Sequence, residues 1–351
     1  MDVLITGGNG LLGRRAVEAL QIRGDKVRVL VLPEEDSEWL KSREVVVHRG
    51  DVRDPESLAA AMSGAESVLH LAGLMGVWRP MADYHAVNVT GTENVCRSAL
   101  REGVRRVVHV SSWTVYGMAL PEPAREDFLL RPFGEPYAVT KAQGDRVVQQ
   151  MIVDQHLPAV IIRPGTFFGP GDQLHFGRMA DRLSNGKGVI VGKGSNALPF
   201  VYVTDVVEGL LLALDHPHAV GQAYNITNDH PLTQQQFLDA IAREIGAKPA
   251  RVHIPYRPLY AAGYLAERLS KPGPGRRQPF VTRLGVKLFG TDNRHSIDKA
   301  RRELGYRPRV DLNDGVRLAA DWYRSSHQQV ASSVPGTPLT EPHPVNGATL
   351  T

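Results

Sequence analysis

The 351-residue sequence contains a single cysteine, Cys96. An intramolecular disulfide is therefore impossible, and CxxC redox and zinc-ribbon chemistries are excluded with it. Cys96 lies in the helical pattern Asn94–Leu100 and reads as a small buried hydrophobe. No HExxH spacing occurs, and the nearest histidine pair, His216 and His218, has no cysteine support, so no metal is expected. No apolar run approaches the roughly 18 residues that cross a bilayer. No signal-peptide pattern precedes the first apolar stretch, Val3–Ile5. These absences lead us to expect a cytoplasmic protein with no transmembrane segment. A DNA-reading module is missing as well, and aromatics do not interleave with the basic residues, so no nucleic-acid partner is expected.

What is present fits an ordinary globular protein. Hydrophobic residues make up 42% and charged residues 22%, which excludes wholesale disorder and collagen-like repetition. The net charge of +4 is unevenly spread, because residues 251–309 hold fourteen Lys or Arg against four Asp or Glu. This stretch reads as a solvated basic face, with contact to a carrier protein or a membrane surface as the functional alternative. Within it, Pro258–Leu265 has an apolar helical character that suits a core helix, a surface-docking helix or a guard over a lipid-like substrate.

Short runs rich in Val, Ile and Leu alternate with helical patterns through the first half of the chain. Strands are expected at Val3–Ile5, Val27–Leu32, Val45–Val47, Ser67–Leu71, Val107–Ser111 and Ala159–Arg163. Helices are expected at Leu11–Arg23, Pro55–Ser63, Thr90–Arg101 and Val139–Gln155. Strands this apolar are buried on both faces, which predicts an α/β fold: a Rossmann-type doubly wound parallel sheet. Residues 1–172 form the dinucleotide-binding domain in this reading. Residues 173–325 form a smaller, mostly helical substrate lobe interleaved with late sheet elements, including helices at Gly177–Asn185, Val203–Leu214 and Thr233–Ile245 and a linker at Pro272–Gly275. Residues 326–351, rich in Pro, Ser, Thr and Gly, read as a disordered tail.

The first strand runs into Thr6-Gly7-Gly8-Asn9-Gly10-Leu11-Leu12-Gly13, which satisfies GxGxxG and opens a helix. Glycines at these points let backbone N–H groups approach a pyrophosphate whose charge rests on the helix N-terminus. After the second strand comes Leu32-Pro33-Glu34-Glu35-Asp36, whose carboxylates repel a ribose 2′-phosphate and which holds no Arg or Lys to bind one. This favours NAD, with NADP as the alternative. Asp51, in Gly50-Asp51-Val52, is placed to accept from an adenine amino group or to cap a turn.

Tyr137 and Lys141 are four residues apart on one helix face. A nearby ammonium favours the phenolate and allows proton exchange with a hydroxyl or carbonyl. Ser112, in Val110-Ser111-Ser112-Trp113-Thr114-Val115-Tyr116-Gly117, ends the preceding strand, where its hydroxyl can bond the reacting oxygen or cap the strand end. Asn88, in Asn88–Thr92, reads as a helix cap or a site residue.

With these motifs, His70-Leu71-Ala72-Gly73 and Arg163–Asp172, the chain resembles an extended short-chain dehydrogenase/reductase of the epimerase/dehydratase superfamily from its start to about residue 325. The resemblance implies Tyr137 as acid/base, Lys141 lowering its pKa and binding ribose, and Ser112 orienting the substrate oxygen. It implies a cofactor held by Gly7, Gly10, Leu11, Leu12 and Gly13, by Asp51 and Val52, by Leu71, Ala72, Gly73 and Asn88, and by Pro164 and Thr166. A homodimer is expected by the same resemblance. Trp113 and Thr114 stand where nucleotide-sugar dehydratases carry an Asp-Glu pair, which argues against dehydration. Asn196–Val203 lacks the arginine with which epimerases commonly bind nucleotide phosphates. The motifs Tyr84–Asn88, Gly192–Asn196 and Leu304–Pro308 are closest to 3β-hydroxysteroid dehydrogenases and 2-alkyl-3-oxoalkanoate reductases. A small apolar substrate interconverted between alcohol and ketone is expected, with a nucleotide-sugar epimerase as the alternative. Met75, Trp78, Trp113, Phe168 and Asn196 are the substrate-contact candidates, the aromatic and Met positions having the core as their other reading.

Overall fold

The structure is a computed structural model that describes residues 1–274, 276 and 278–332. Eleven strands are formed among them: β1 (Asp2–Thr6), β2 (Lys26–Val31), β3 (Val46–Arg49), β4 (Ser67–His70), β5 (Arg106–Val110), β6 (Ala159–Pro164), β7 (Thr166–Phe168), β8 (Val189–Val191), β9 (Phe200–Tyr202), β10 (Ala223–Ile226) and β11 (Val252–Ile254). Seven build the central sheet in the order β10-β6-β5-β4-β1-β2-β3, with every pair parallel. The expected Rossmann-type doubly wound sheet is therefore present. Strands β4, β5 and β6 are almost wholly buried, as their mainly Val, Ile and Leu content requires between two helical layers. The strand order reverses between β1 and β4, which opens a crevice at their carboxyl ends.

Strand β10 comes from the second half of the chain and completes the sheet beside β6. Two small parallel pairs, β7 with β9 and β8 with β11, attach the remaining strands. One large core cluster runs from β1 and the helix Leu11–Arg23 through Phe168, Phe200 and Phe237 to the helix Leu312–Ser332. A second fills the opposite face of the sheet around Leu58, Val95, Cys96 and Met151. Cys96 is buried there, and burial pushes its thiol up to about 12.

Three element boundaries differ from the expectation, each for a local reason. The helix expected from Thr90 is preceded by a π-helical turn, Ala86–Gly91, and becomes α only at Thr92. The catalytic-motif helix starts at Pro136, because Pro suits a first helical position and the Glu135 side chain caps the Ala138 N–H. The helix Leu312–Ser332 runs through the start of the expected disordered tail, and His327 stacks on Tyr323 at 4.0 Å within it. The rest of that tail, 333–351, and Gly275 of the expected linker lie outside the described residues.

Candidate active site

The loop from β1 into the helix Leu11–Arg23 is shaped by its glycines. Gly7 has φ +75, and a Cβ on it would stand 2.8 Å from the Ala72 nitrogen. A Cβ on Gly13 would come within 2.3 Å of the Gly7 carbonyl oxygen. Gly10 is different: a Cβ there would meet only that same oxygen, at 3.4 Å, so its outer side is open. The loop is thus closed against the protein and open at the helix N-terminus, where no side chain caps the first N–H groups. That arrangement fits a dinucleotide pyrophosphate. Leu12 is buried beneath the loop, and Leu11 packs against the core beside it.

The far end of the cradle corrects one expectation. The sequence offers no cation after β2, yet Arg49 at the end of β3 crosses to that loop. Its guanidinium donates to the carbonyls of Leu32, Pro33 and Glu35 and to the Ser37 hydroxyl. The charge argument against a 2′-phosphate is weaker for it. Asp51 is engaged by Arg53, whose backbone N–H and guanidinium donate to it at 2.6–2.9 Å. Burial raises its carboxyl, and these bonds outweigh the rise and hold it below the usual range. Val52 is buried against Gly91.

The loop after β4 carries Leu71, Ala72 and Gly73, and Asn88 fixes it. The Asn88 Oδ1 accepts from the Leu74 N–H at 2.7 Å, and its Nδ2 donates to the Leu74 carbonyl and the Thr140 hydroxyl. Asn88 lies inside the π-helical turn and is no helix cap. A Cβ on Gly73 would stand 3.4 Å from Asn88 Oδ1 and 3.7 Å from Lys141 Nζ, so these three residues meet at the sheet edge.

Ser112 follows β5 with an extended backbone. Its Oγ accepts from the Thr114 N–H and shares a hydrogen bond with Thr114 Oγ1 at 2.9 Å. It therefore does cap the short helical turn Trp113–Tyr116. Burial pushes Tyr137 up to about 12; the Ser112 hydroxyl opposes the rise and Glu135 adds to it. The resemblance has Lys141 lowering Tyr137. The Lys141 ammonium donates to the Val110 carbonyl at 2.5 Å. Burial brings Lys141 itself down to about 8, against the pull of Asp145.

The substrate-contact candidates separate. Phe168 is fully buried, stacked on Phe176 and edge-on to Phe200, Tyr202 and Phe237, so it is a core residue and lines no cleft. Asn196 also falls outside: its amide donates to the carbonyls of Phe289 and Thr291, tying its loop to the helix Arg283–Gly290. Trp113 is buried and donates its indole N–H to Thr166 Oγ1 at 3.0 Å, just past Pro164 at the end of β6. Met75 and Trp78 lie on the loop after β4, Met75 partly exposed. An open cleft of about 590 Å³ with mixed polar and apolar walls lies among Tyr116, Met118, Leu120, Phe128, Arg131 and Phe133, with Lys287 at its edge.

Sequence reasoning missed the polar floor beneath these groups. Asp145, one helical turn past Lys141, forms a bidentate pair with Arg163 of β6, both contacts at 2.9 Å and both residues buried. Ser111 and Gln149 also donate to Asp145, each at 2.6 Å. Burial raises its carboxyl, and Arg163 outweighs this and keeps it below the usual carboxylate range. Arg163 donates onward to the Tyr116 hydroxyl, which donates to Asn225 of β10 at 2.7 Å. The available signal is an arginine closing an otherwise apolar strand, which needs a buried partner. Two histidines, His70 and His109, lie fully buried beside Lys141 with ring centroids 5.3 Å apart. Burial first, and the Lys141 charge second, bring His70 down to about 3 and His109 well below its ordinary value.

Fold and site together define a Rossmann-type enzyme of the dehydrogenase/reductase class. The sequence profile of the NAD dependent epimerase/dehydratase family matches residues 3–227, and the chain belongs to that family. It is 32% identical over 328 residues to a 2-alkyl-3-oxoalkanoate reductase of Stenotrophomonas maltophilia, covering 90% of this chain and 98% of the relative. It is 31% identical over 337 residues to a 3-beta-hydroxysteroid dehydrogenase of Mycolicibacterium neoaurum, covering 92% and 91%. The crystal structure of a Thermus thermophilus UDP-glucose 4-epimerase in complex with NAD superposes with a TM-score of 0.73 at 26% identity, covering 93% of this chain and all of the other. The resemblance to extended short-chain dehydrogenases/reductases, and NAD as the cofactor of the family, are thereby established.

Proposed function

We propose that the protein interconverts a secondary alcohol and a ketone on a largely apolar small molecule, of steroid-like or β-keto acyl type. Bound NAD, or NADP, would supply or accept the hydride. Gly7, Gly10, Leu11, Leu12 and Gly13 would hold its pyrophosphate, and Gly73, Asn88, Lys141, Pro164 and Thr166 its nicotinamide end. Tyr137 exchanges a proton with the substrate oxygen, and Ser112 donates a hydrogen bond to the same atom. Lys141 bonds the Val110 carbonyl, which fixes its ammonium close to Gly73.

The observation that carries this reading is the meeting of Gly73, Asn88 and Lys141 at the carboxyl edge of the sheet, with the glycine loop packed against Ala72 beside them. Trp113 supports it further, because an indole already donating to Thr166 offers no carboxylate for elimination of water. The names of the relatives, a reductase of oxoalkanoates and a hydroxysteroid dehydrogenase, favour a lipid-like substrate. The reading includes a cytoplasmic homodimer, for which size-exclusion chromatography is the check.

The test is to follow nicotinamide absorbance with purified protein, NADH or NADPH, and a panel of β-keto esters, oxosteroids and UDP-sugars. Stoichiometric loss of reduced cofactor with a ketone is expected. A sugar isomer formed with NAD present and no net absorbance change would replace this reading with an epimerase.

A further inference from the structure

The helix Tyr256–Leu269 is built inside out for a globular protein. Its inward face holds Tyr256, Leu259, Tyr260 and Gly263, and Gly263 alone is buried. A Cβ on Gly263 would meet the Thr282 and Arg283 backbone at 3.1–3.2 Å, so this face packs on the start of the helix Arg283–Gly290. The opposite face, Pro258, Ala261, Ala262, Leu265 and Leu269, follows helical spacing and is apolar throughout. All five are exposed, Leu265 at 58% and Leu269 at 77%. Phe280, on the segment joining the two helices, is 74% exposed, with the Arg182 guanidinium over its ring at 4.2 Å.

Cations surround this stripe. Arg257, Arg268, Lys271 and Arg276 are all exposed. The only acid between residues 256 and 290 is Glu267, and Arg283 engages it at 2.6 Å. An outward apolar stripe with an unopposed positive rim is complementary to an anionic lipid surface, in which acyl chains lie beneath phosphates. An acidic protein would satisfy the charges and leave the leucines unexplained.

The same segment touches residues next to the candidate active site. The Gly273 N–H donates to the Trp78 carbonyl at 3.0 Å, on the loop after β4. Arg283 and Lys287 stand over the Phe133 ring at 5.7 and 4.6 Å, four residues before Tyr137.

We propose that the outward face of Tyr256–Leu269, with Phe280, is a docking surface for anionic membranes. It goes beyond the proposed reaction and does not depend on it, since the test reads binding without substrate.

The full chain with NAD is sedimented with vesicles of phosphatidylcholine alone and of phosphatidylcholine with phosphatidylglycerol, at low and high salt. Preference for the anionic vesicles by about tenfold or more, weakened by salt, is expected. The pair Leu265→Asp with Leu269→Asp, and separately the triple Arg257→Gln, Arg268→Gln, Lys271→Gln, should each reduce binding about tenfold or more. Both variants should keep the parent thermal midpoint, since every substituted side chain is exposed. No binding to anionic vesicles overturns the proposal. So does loss in the charge variant with full binding by the leucine variant, because that pattern fits a purely electrostatic partner. Binding of an acidic acyl carrier protein with no vesicle binding would replace the membrane by a protein.

Discussion

The floor and the roof of the site are built by opposite means. Below Tyr137 and Lys141, Asp145, Arg163, Ser111, Tyr116 and Asn225 satisfy one another in a sealed chain from the helix Pro136–Gln155 to β10. In the roof, the helix Tyr256–Leu269 buries only Gly263 and shows Leu265 and Leu269 to solvent, and the helix Arg283–Gly290 buries only Val286. A buried polar network has one arrangement that pairs every charge, so it holds catalytic groups in register. A roof with little buried surface can be rebuilt at small cost. In the proposed reading the chemistry rests on the floor and surface docking on the roof.

That contrast can be broken most sharply at the reacting groups. Tyr137→Phe should lower turnover by about 10²–10⁴-fold while cofactor affinity, read by fluorescence titration, stays near the parent value. Substantial residual activity would remove Tyr137 from the mechanism. Asp145→Ala strands the Arg163 charge in a sealed site and should cost about 3–5 kcal/mol in urea unfolding. A loss below about 1 kcal/mol, the level of an exposed pair, would mean that the floor is not the rigid element. Gly10→Val should obstruct the pyrophosphate and weaken NAD binding with little change in unfolding, because the space above Gly10 is open. Unchanged affinity would remove the cradle assignment.

The histidines test the floor through pH. His70 and His109 have depressed values in the folded protein, so the unfolded chain binds more protons below about pH 6.5. Stability is intact above that pH and falls as pH drops towards their folded values. His109, whose two ring nitrogens have no partner, can be replaced without breaking a hydrogen bond. His109→Leu should therefore reduce the acid loss by about 1.4 kcal/mol per pH unit, seen as a shallower fall between pH 6.5 and 4.5. An unchanged slope would show that this imidazole does not titrate with unfolding. The smallest effect belongs to the roof: Leu265→Ser should move unfolding free energy by less than about 0.5 kcal/mol.

The same division governs what was legible in the sequence. Local signals carried the nucleotide half, because strand periodicity, the glycine spacing and the four-residue step from Tyr137 to Lys141 each act within one or two elements. Asp145 was hidden because its partner Arg163 is eighteen residues away on another element. The cap reading of Asn88 fails since nothing local marks a π-helical turn. Phe168 shows the limit of composition: an aromatic side chain fits a core and a cleft equally well, and only packing against Phe176 and Phe237 decides. The helix Leu312–Ser332 outruns its expected end because a helix already anchored by Val316, Ala319 and Ala320 in the core propagates into polar sequence.

Strand β10 has one more consequence, which concerns the order in which the protein is made. Its partner β6 ends at Pro164, and β10 begins only about 60 residues later. While a ribosome covers that distance, on the order of several seconds, the apolar strand Ala159–Pro164 is an open edge. Asn225 on β10 also brings the acceptor for the Tyr116 hydroxyl, so the floor closes at the moment the edge is covered. The interval between those two strands is when a nascent chain is most exposed to mispairing and most dependent on a chaperone.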